Sequence, residues 1–468
     1  MASASRNSSD RPTCLVIGGG LAGLAAAERA KERGWRVHLF EAQPELGGRV
    51  KSHHFLDPRG YCHLVCELGG EWIGKNHKTM LRLMEKFHLK KINHQYSLSF
   101  WDADQQVQTT YRPSQSPFGL ELREKLEQFG REFRKPSRAR DKKLDMIDWW
   151  TQLKLLDFPA DALLRRDLMD GTDFGESIRH TSAYVAAAEY LSRKSNATDE
   201  MDFKIVGGNS LLIHKLEDSI GAKSIHKGAP VDAVIQRHGK VEVHLSSGKR
   251  FQGEACICAV PASCLRHITW SPRLSGEQID AANQLQYARI TKTAVLFQKR
   301  FWEPGTESTL PRPKGGFSVF SDRVSDFCFD STYLQPGPGG ILCSYAVGDK
   351  ADDIASEPDS MQVGRWICKD VCDAIGRSRA RPQVLAVQQQ PWQKQSWING
   401  AYAFYRPGQW FTIRKILQKR HFKVRFAGEH LADEQGFMEG AVATGIQAAK
   451  ELPELHHRSR AKTGRAAE

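Results

Sequence analysis

The sequence predicts an α/β protein in which a Rossmann-like dinucleotide-binding domain, built from separated segments, interleaves with an α+β domain. Three observations carry this. The stretch 13–50 reads strand, glycine turn, helix, strand. Further glycine turns follow at 47–49 and 67–74. The same strand–glycine–helix order returns at 424–450, after long stretches of different character.

The opening unit assigns a task to each residue type. Cys14-Leu15-Val16-Ile17 is an apolar run of the kind a buried parallel strand shows. Gly18, Gly20 and Gly23 follow in GxGxxG spacing. The first permits a tight turn, the second lets backbone approach a pyrophosphate, and the third lets helix pack on strand. The alanine-rich helix runs to about Arg33 and offers N-terminal N–H groups to phosphates. Arg36 to Phe40 forms the second strand, and Glu41 at its end is placed to accept hydrogen bonds from ribose hydroxyls.

Next come Gly47-Gly48-Arg49, a glycine turn with a fixed cation, and ELGGEWIG at 67–74, whose Gly69, Gly70, Glu71 and Trp72 are candidate cofactor-binding residues. A helix is expected from about His77 to His88 on the spacing of Met80, Leu83, Met84 and Phe87. Residues 91–202 carry a short strand pair at Phe100-Trp101, then amphipathic helices such as 119–134, 142–156 and 184–191. The first style resumes at 203, with strands at 231–235, 240–245 and 255–260. The domains are therefore placed at 12–90, 203–270 and 420–452 for the nucleotide unit, and 91–202 with 271–419 for the substrate unit. Residues 1–11 and 453–468 read as disordered tails.

Composition narrows the classes. The 468 residues are 40% hydrophobic and 26% charged, as in ordinary globular proteins. No run of about 20 apolar residues is present, so no membrane span is expected. The N-terminus has no secretory pattern, and the ten scattered cysteines have no zinc-ligand spacing, so a cytoplasmic setting with reduced thiols and no metal is expected. The net charge of +13 gathers at 131–143 and in the tail. No reading motif accompanies it, so solvated faces are expected and no nucleic-acid partner.

The opening fingerprint, Gly47-Gly48-Arg49, ELGGEWIG and the closing AGEHLADEQGFMEGAVATGIQAAKEL together resemble the flavin-containing amine oxidases of the monoamine oxidase superfamily. The resemblance implies FAD in the nucleotide domain. It implies that Glu41 meets the adenosine ribose, Gly18, Gly20 and Gly23 the pyrophosphate, and Gly48 and Arg49 the pyrophosphate and ribityl chain. Val231 would present backbone to the adenine, and Gly428 and Glu429 would approach the ribityl or phosphate end. The helix starting near Met438 would offer its N-terminus to the flavin carbonyl. Tyr287 to Phe297, followed by Phe301-Trp302, resembles the family's lysine-bearing strand, which aligns Lys292 with a residue that holds water against flavin N5.

In Trp392 to Tyr405, Ala401 stands where some members carry a cysteine joined to the flavin, so FAD is expected to be noncovalent. Tyr402 and Phe437 match the two aromatic walls that flank the substrate amine, with Trp392 and Trp397 packed near the flavin. The activity implied is oxidation of an amine to an imine, then a carbonyl, with O2 giving H2O2. Trp72 falls where L-amino-acid oxidases carry a carboxylate-clamping arginine, which favours a monoamine-type substrate. Arg289 could replace that clamp in an L-amino-acid oxidase, and Glu71 could attract a second amino group in a polyamine oxidase. A desaturase-type enzyme and a non-catalytic flavin-binding module are the more distant alternatives, and a homodimer is left open.

Overall fold

The computed structural model describes residues 11–454 except 61, 94–97, 103–106, 112–117, 192–201, 304–315, 378–380 and 434. The expected disordered tails lie almost wholly outside the described residues. Strand β1 (Thr13–Ile17) is central in a five-stranded parallel sheet. On one side it pairs with β2 (Arg36–Phe40), which pairs with Ile225–His226; on the other it pairs with Ala255–Cys258, which pairs with Val424–Phe426. Both faces are covered. Cys14, Val16, Ala255 and Ile257 join the core under α1 (Leu21–Glu32), the helix Ser210–Ile220 and the helix Met438–Lys450. Leu15, Ile17, Cys256 and Cys258 point the other way, onto Val234, Val241 and Val243 of a four-stranded sheet. Burial on both faces is why the run is apolar without alternation.

The last helix packs on α1 through a bare backbone contact. A Cβ on Gly445 would stand 2.1 Å from the Ala22 carbonyl oxygen. Gly445→Ala is therefore expected to cost about 1–3 kcal/mol through forced separation of the helices, read as a lower denaturation midpoint in urea.

A seven-stranded sheet forms the second layer system, in the order Val384–Pro391, Ile290–Phe297, Gly340–Val347, Phe327–Asp330, Ser318–Ser321, Leu98–Asp102, Val107–Tyr111. In Ile290–Phe297, Val295 and Phe297 face a core built with the helices Gly348–Ser356 and Ser360–Ala374. Ala294 and Leu296 face the hairpin of Ser52–Leu56 with His63–Glu67, through Phe55, Leu64 and Cys66. The period of two puts Lys292 on this second face, toward the turn that follows Glu67.

Five helices fill most of 119–190: Gly119–Phe133, Arg138–Asp145, Trp149–Leu155, Ala160–Phe174 and Ala183–Tyr190. The single helix expected at 142–156 is two pieces. Asp148 Oδ1 accepts the Thr151 N–H at 2.7 Å and so starts the second piece as its N-cap. The basic stretch at 131–143 bends back on itself: Arg140 donates to the carbonyls of Phe133 and Lys135, both at 2.9 Å. No helix among the described residues is long and apolar enough to cross a membrane.

Candidate active site

One cavity of about 1240 Å³ opens at the C-terminal ends of the parallel strands and continues between them and the seven-stranded sheet. It exceeds the roughly 300–1,000 Å³ of a pocket for one small ligand. Its first half is backbone. Gly18 adopts φ +100°, and a Cβ there would lie 2.8 Å from the Ala259 carbonyl oxygen. Gly20 and Gly48 face one another so closely that a Cβ on Gly48 would stand 3.2 Å from the Gly20 Cα. Gly23 sits behind the cavity, against the Gly18 carbonyl oxygen, where a Cβ would come within 1.9 Å. No side chain caps α1, whose first residues Leu21 and Ala22 line the cavity.

The Glu41 carboxylate closes this end. It accepts the Gly19 N–H at 2.5 Å and the Gln43 N–H at 2.8 Å. Burial pushes its pKa up, against the pull of those N–H groups. Val231 lines the same end, just after Ala229, whose N–H reaches the Glu41 carbonyl at 2.8 Å. Arg49 and Glu429, 380 residues apart, form an ion pair of 2.7 Å. Glu429 also accepts the N–H groups of Ala403 at 3.2 Å and Gly436 at 2.9 Å, so one carboxylate ties three distant segments. Gly428 before it adopts φ +150°, and a Cβ there would meet the His430 ring at 2.5 Å.

The far wall is charged. Lys292, 5% exposed, donates to Glu71 Oε2 at 2.6 Å, to the Gly69 carbonyl at 3.0 Å and to the Glu67 carbonyl at 3.2 Å. An ammonium has three N–H donors, and all three are directed to protein. Burial pulls the Lys292 pKa down, but the Glu71 carboxylate more than offsets this and leaves it raised. Glu71 also accepts from Lys204 at 2.5 Å; burial would raise its pKa, and the two lysines hold it below the ordinary value. Both Glu71 oxygens are engaged within the protein, which leaves the carboxylate already matched rather than offered to a second amino group.

The third component is aromatic. Tyr402 lines the cavity with its hydroxyl donating to the Thr172 carbonyl at 2.8 Å and to the Asp173 carbonyl, at the end of the helix Ala160–Phe174. Gly436 lies against the Tyr402 ring, where a Cβ would come within 2.8 Å of Cδ2, and so seats the segment carrying Phe437 beside it. Phe437 packs on His77 at 5.3 Å between ring centroids. The Met438 side chain rests on Gly70, where a Cβ would lie 3.1 Å from its Cγ. Trp392 is buried and donates to the Leu68 carbonyl at 2.8 Å, while Trp397 reaches the cavity from a more exposed position. Trp72 lines the cavity 6.0 Å from Phe329.

The profile of the flavin containing amine oxidoreductase family matches residues 21–453. The chain belongs to that family. It is an oxidoreductase acting on amines, with FAD as its cofactor. The chain is 23% identical to an L-amino acid dehydrogenase of Synechocystis sp., over 94% of each chain. It is 24% identical to the flavin-dependent L-tryptophan oxidase RebO of Lentzea aerocolonigenes, over 93% of this chain and 97% of that one. Among solved structures, putrescine oxidase bound to putrescine is similar with a TM-score of 0.78 and 18% identity, over 94% and 99% of the two chains. Cyclohexylamine oxidase of Brevibacterium oxydans gives 0.78 and 20%, over 94% and 98%. These structural likenesses are of fold.

The cavity fits the family's cofactor. The paired glycines leave bare backbone where a pyrophosphate would approach, and an uncapped helix N-terminus adjoins them. His430 lines the cavity with its buried Nδ1 unpartnered among the described residues, and burial pushes its pKa down to about 4. The helix Met438–Lys450 also starts there without a side-chain cap. Its first-turn acid, Glu439, turns instead to the N–H groups of Thr79 and Met80, at 2.9 and 2.7 Å, at the start of the helix Lys78–Lys86.

Two residues of the charged wall escape motif reading, one lining the cavity and one behind it. Tyr345 pairs across the sheet with Lys292, lies 5.5 Å from its Nζ measured to the ring centroid, and hydrogen-bonds the Tyr402 hydroxyl. The other is Lys204. The signal that could find Tyr345 is register: in an antiparallel pair, the residue opposite a buried lysine shares its face.

Proposed function

We propose that this chain is an FAD-dependent oxidase of amines that lack a carboxylate, the monoamine type of the family. The observation that carries the reading is Trp72, an indole in the cavity wall at the position where L-amino-acid-directed members hold an arginine. The other cation considered for that task is engaged elsewhere. Arg289 donates to Glu176 at 2.8 Å, Asp349 at 2.8 Å and Asp352 at 2.9 Å. A carboxylate without a bidentate partner loses the strong paired hydrogen bonds that would hold it. The L-amino-acid reading has the names of four relatives behind it, and the exposed Lys78 and Arg82 that line the cavity.

FAD, held noncovalently with Ala401 at the position of the family's linking cysteine, supplies the two-electron acceptor, and O2 takes those electrons on as H2O2. Gly18, Gly20, Gly48 and Arg49 hold its phosphates and chain, Glu41 its ribose and Val231 its adenine. The substrate loses its α-hydrogen as a hydride equivalent and leaves as an imine, which water converts to a carbonyl compound and ammonia. Tyr402 and Phe437 orient the amine between their faces and keep water from it. Lys292 fixes the 67–71 turn, and the start of the helix Met438–Lys450 places partial positive charge where negative charge grows.

The test is anaerobic flavin bleaching with a panel of simple amines, diamines and L-amino acids. Bleaching by simple amines is expected. Bleaching by amino acids alone would replace this reading with the amino-acid one.

A further inference from the structure

Lys204 has no part in the chemistry above, yet it is placed with care. It lies on the short strand Phe203–Ile205, which pairs with Lys91–Asn93, and it is 7% exposed. Its Nζ reaches Glu71 Oε1 at 2.5 Å, while Lys292 holds Oε2 at 2.6 Å. The same Nζ stands 4.2 Å from the Trp72 ring centroid and 5.7 Å from that of Phe329. Two buried cations thus share one carboxylate. Desolvating an ion costs several kcal/mol, and Glu71 is already neutralised by Lys292, so the second lysine is held only by a shared carboxylate and two ring contacts. The next carboxyl, Glu67, has its pKa pushed up to about 7 by burial, so below neutrality it does not cancel the excess.

We propose that Lys204 is a positioning residue for the flavin site. It fixes Glu71 and the Trp72 ring from behind the wall, and with Lys292 leaves there one uncompensated positive charge that favours the reduced cofactor. This rests on the reading that the Lys292 wall adjoins the flavin ring.

The measurement is the reduction potential of flavin in the holoenzyme at pH 6, which needs no substrate. Lys204→Gln and Lys204→Met are expected to shift the equilibrium at least tenfold toward the oxidised form, about 30 mV for a two-electron couple. Lys204→Arg is expected to restore most of the shift, and Lys292→Met to move the potential in the same direction. The methionine variant leaves no buried polar group, and covers the case in which the glutamine variant does not fold. If Lys292→Met moves the potential and both uncharged Lys204 variants do not, the inference fails alone. An unmoved potential with a lowered melting temperature of the flavin-free protein would make Lys204 merely structural and also overturn it. If neither lysine matters to the potential, the placement of the flavin ring fails with it, while amine bleaching by the wild type still judges the activity.

Discussion

Lys292→Met slows the reaction by on the order of 10²-fold, in flavin reduction by amine or in reoxidation, while FAD stays bound. The magnitude is what a displacement of about 1 Å in a positioned active-site wall costs. Methionine keeps the length and apolar stem but gives up three donated hydrogen bonds, including those to the Gly69 and Glu67 carbonyls. The turn 67–71 then loses its anchor to the strand Ile290–Phe297, and Glu71 keeps only Lys204. Flavin retention follows because the phosphate and ribose contacts come from other segments. Stopped-flow absorbance of the two half-reactions decides it: unchanged rate constants in both would mean that this lysine does not face the reacting atoms.

Glu429→Gln releases FAD and destabilises the protein by about 3 kcal/mol, the low end for breaking a buried ion pair. The low end applies because the Arg49 side chain keeps 22% exposure. Shape is conserved, so the loss is electrostatic and directional. The carboxylate accepts from Arg49, Ala403 and Gly436 using both oxygens. An amide has one oxygen and one NH2, so whichever way it turns, a donor meets a donor. Urea denaturation and titration of the flavin-free protein with FAD read the two effects; full affinity in the variant would remove Glu429 from the cofactor's surroundings.

The opening unit was legible because its information is local. Cys14 to Ile17, the three glycines and Glu41 lie within thirty residues and each reports its own geometry. Lys292 was legible for a different reason, through the resemblance of Tyr287 to Phe297, with Phe301-Trp302 after it, to the family's lysine-bearing strand. The partners of Glu71 were not. Lys204 and Lys292 reach it across 133 and 221 residues of sequence, and nothing near ELGGEWIG announces either. Read alone, Glu71 looked available to a substrate amine, and Arg289 looked available to a carboxylate until Glu176, Asp349 and Asp352 came into view. Tyr345 lay hidden because its strand, Gly340–Val347, carries no motif; only the pairing register gives it away. The break between Arg138–Asp145 and Trp149–Leu155 was a matter of one capping aspartate inside a continuous apolar pattern.

The pairing of Ala255–Cys258 with Val424–Phe426, and of α1 with the helix Met438–Lys450, has a consequence for biosynthesis. Domains ordinarily fold as units while the chain emerges from the ribosome, N-terminal part first. Here the earliest strands wait for the latest. Until the helix Met438–Lys450 is made, the part of α1 that packs on it has no cover. Cofactor capture is thereby expected to wait for this late part of the chain, since Arg49 has its carboxylate partner only once Glu429 has been made.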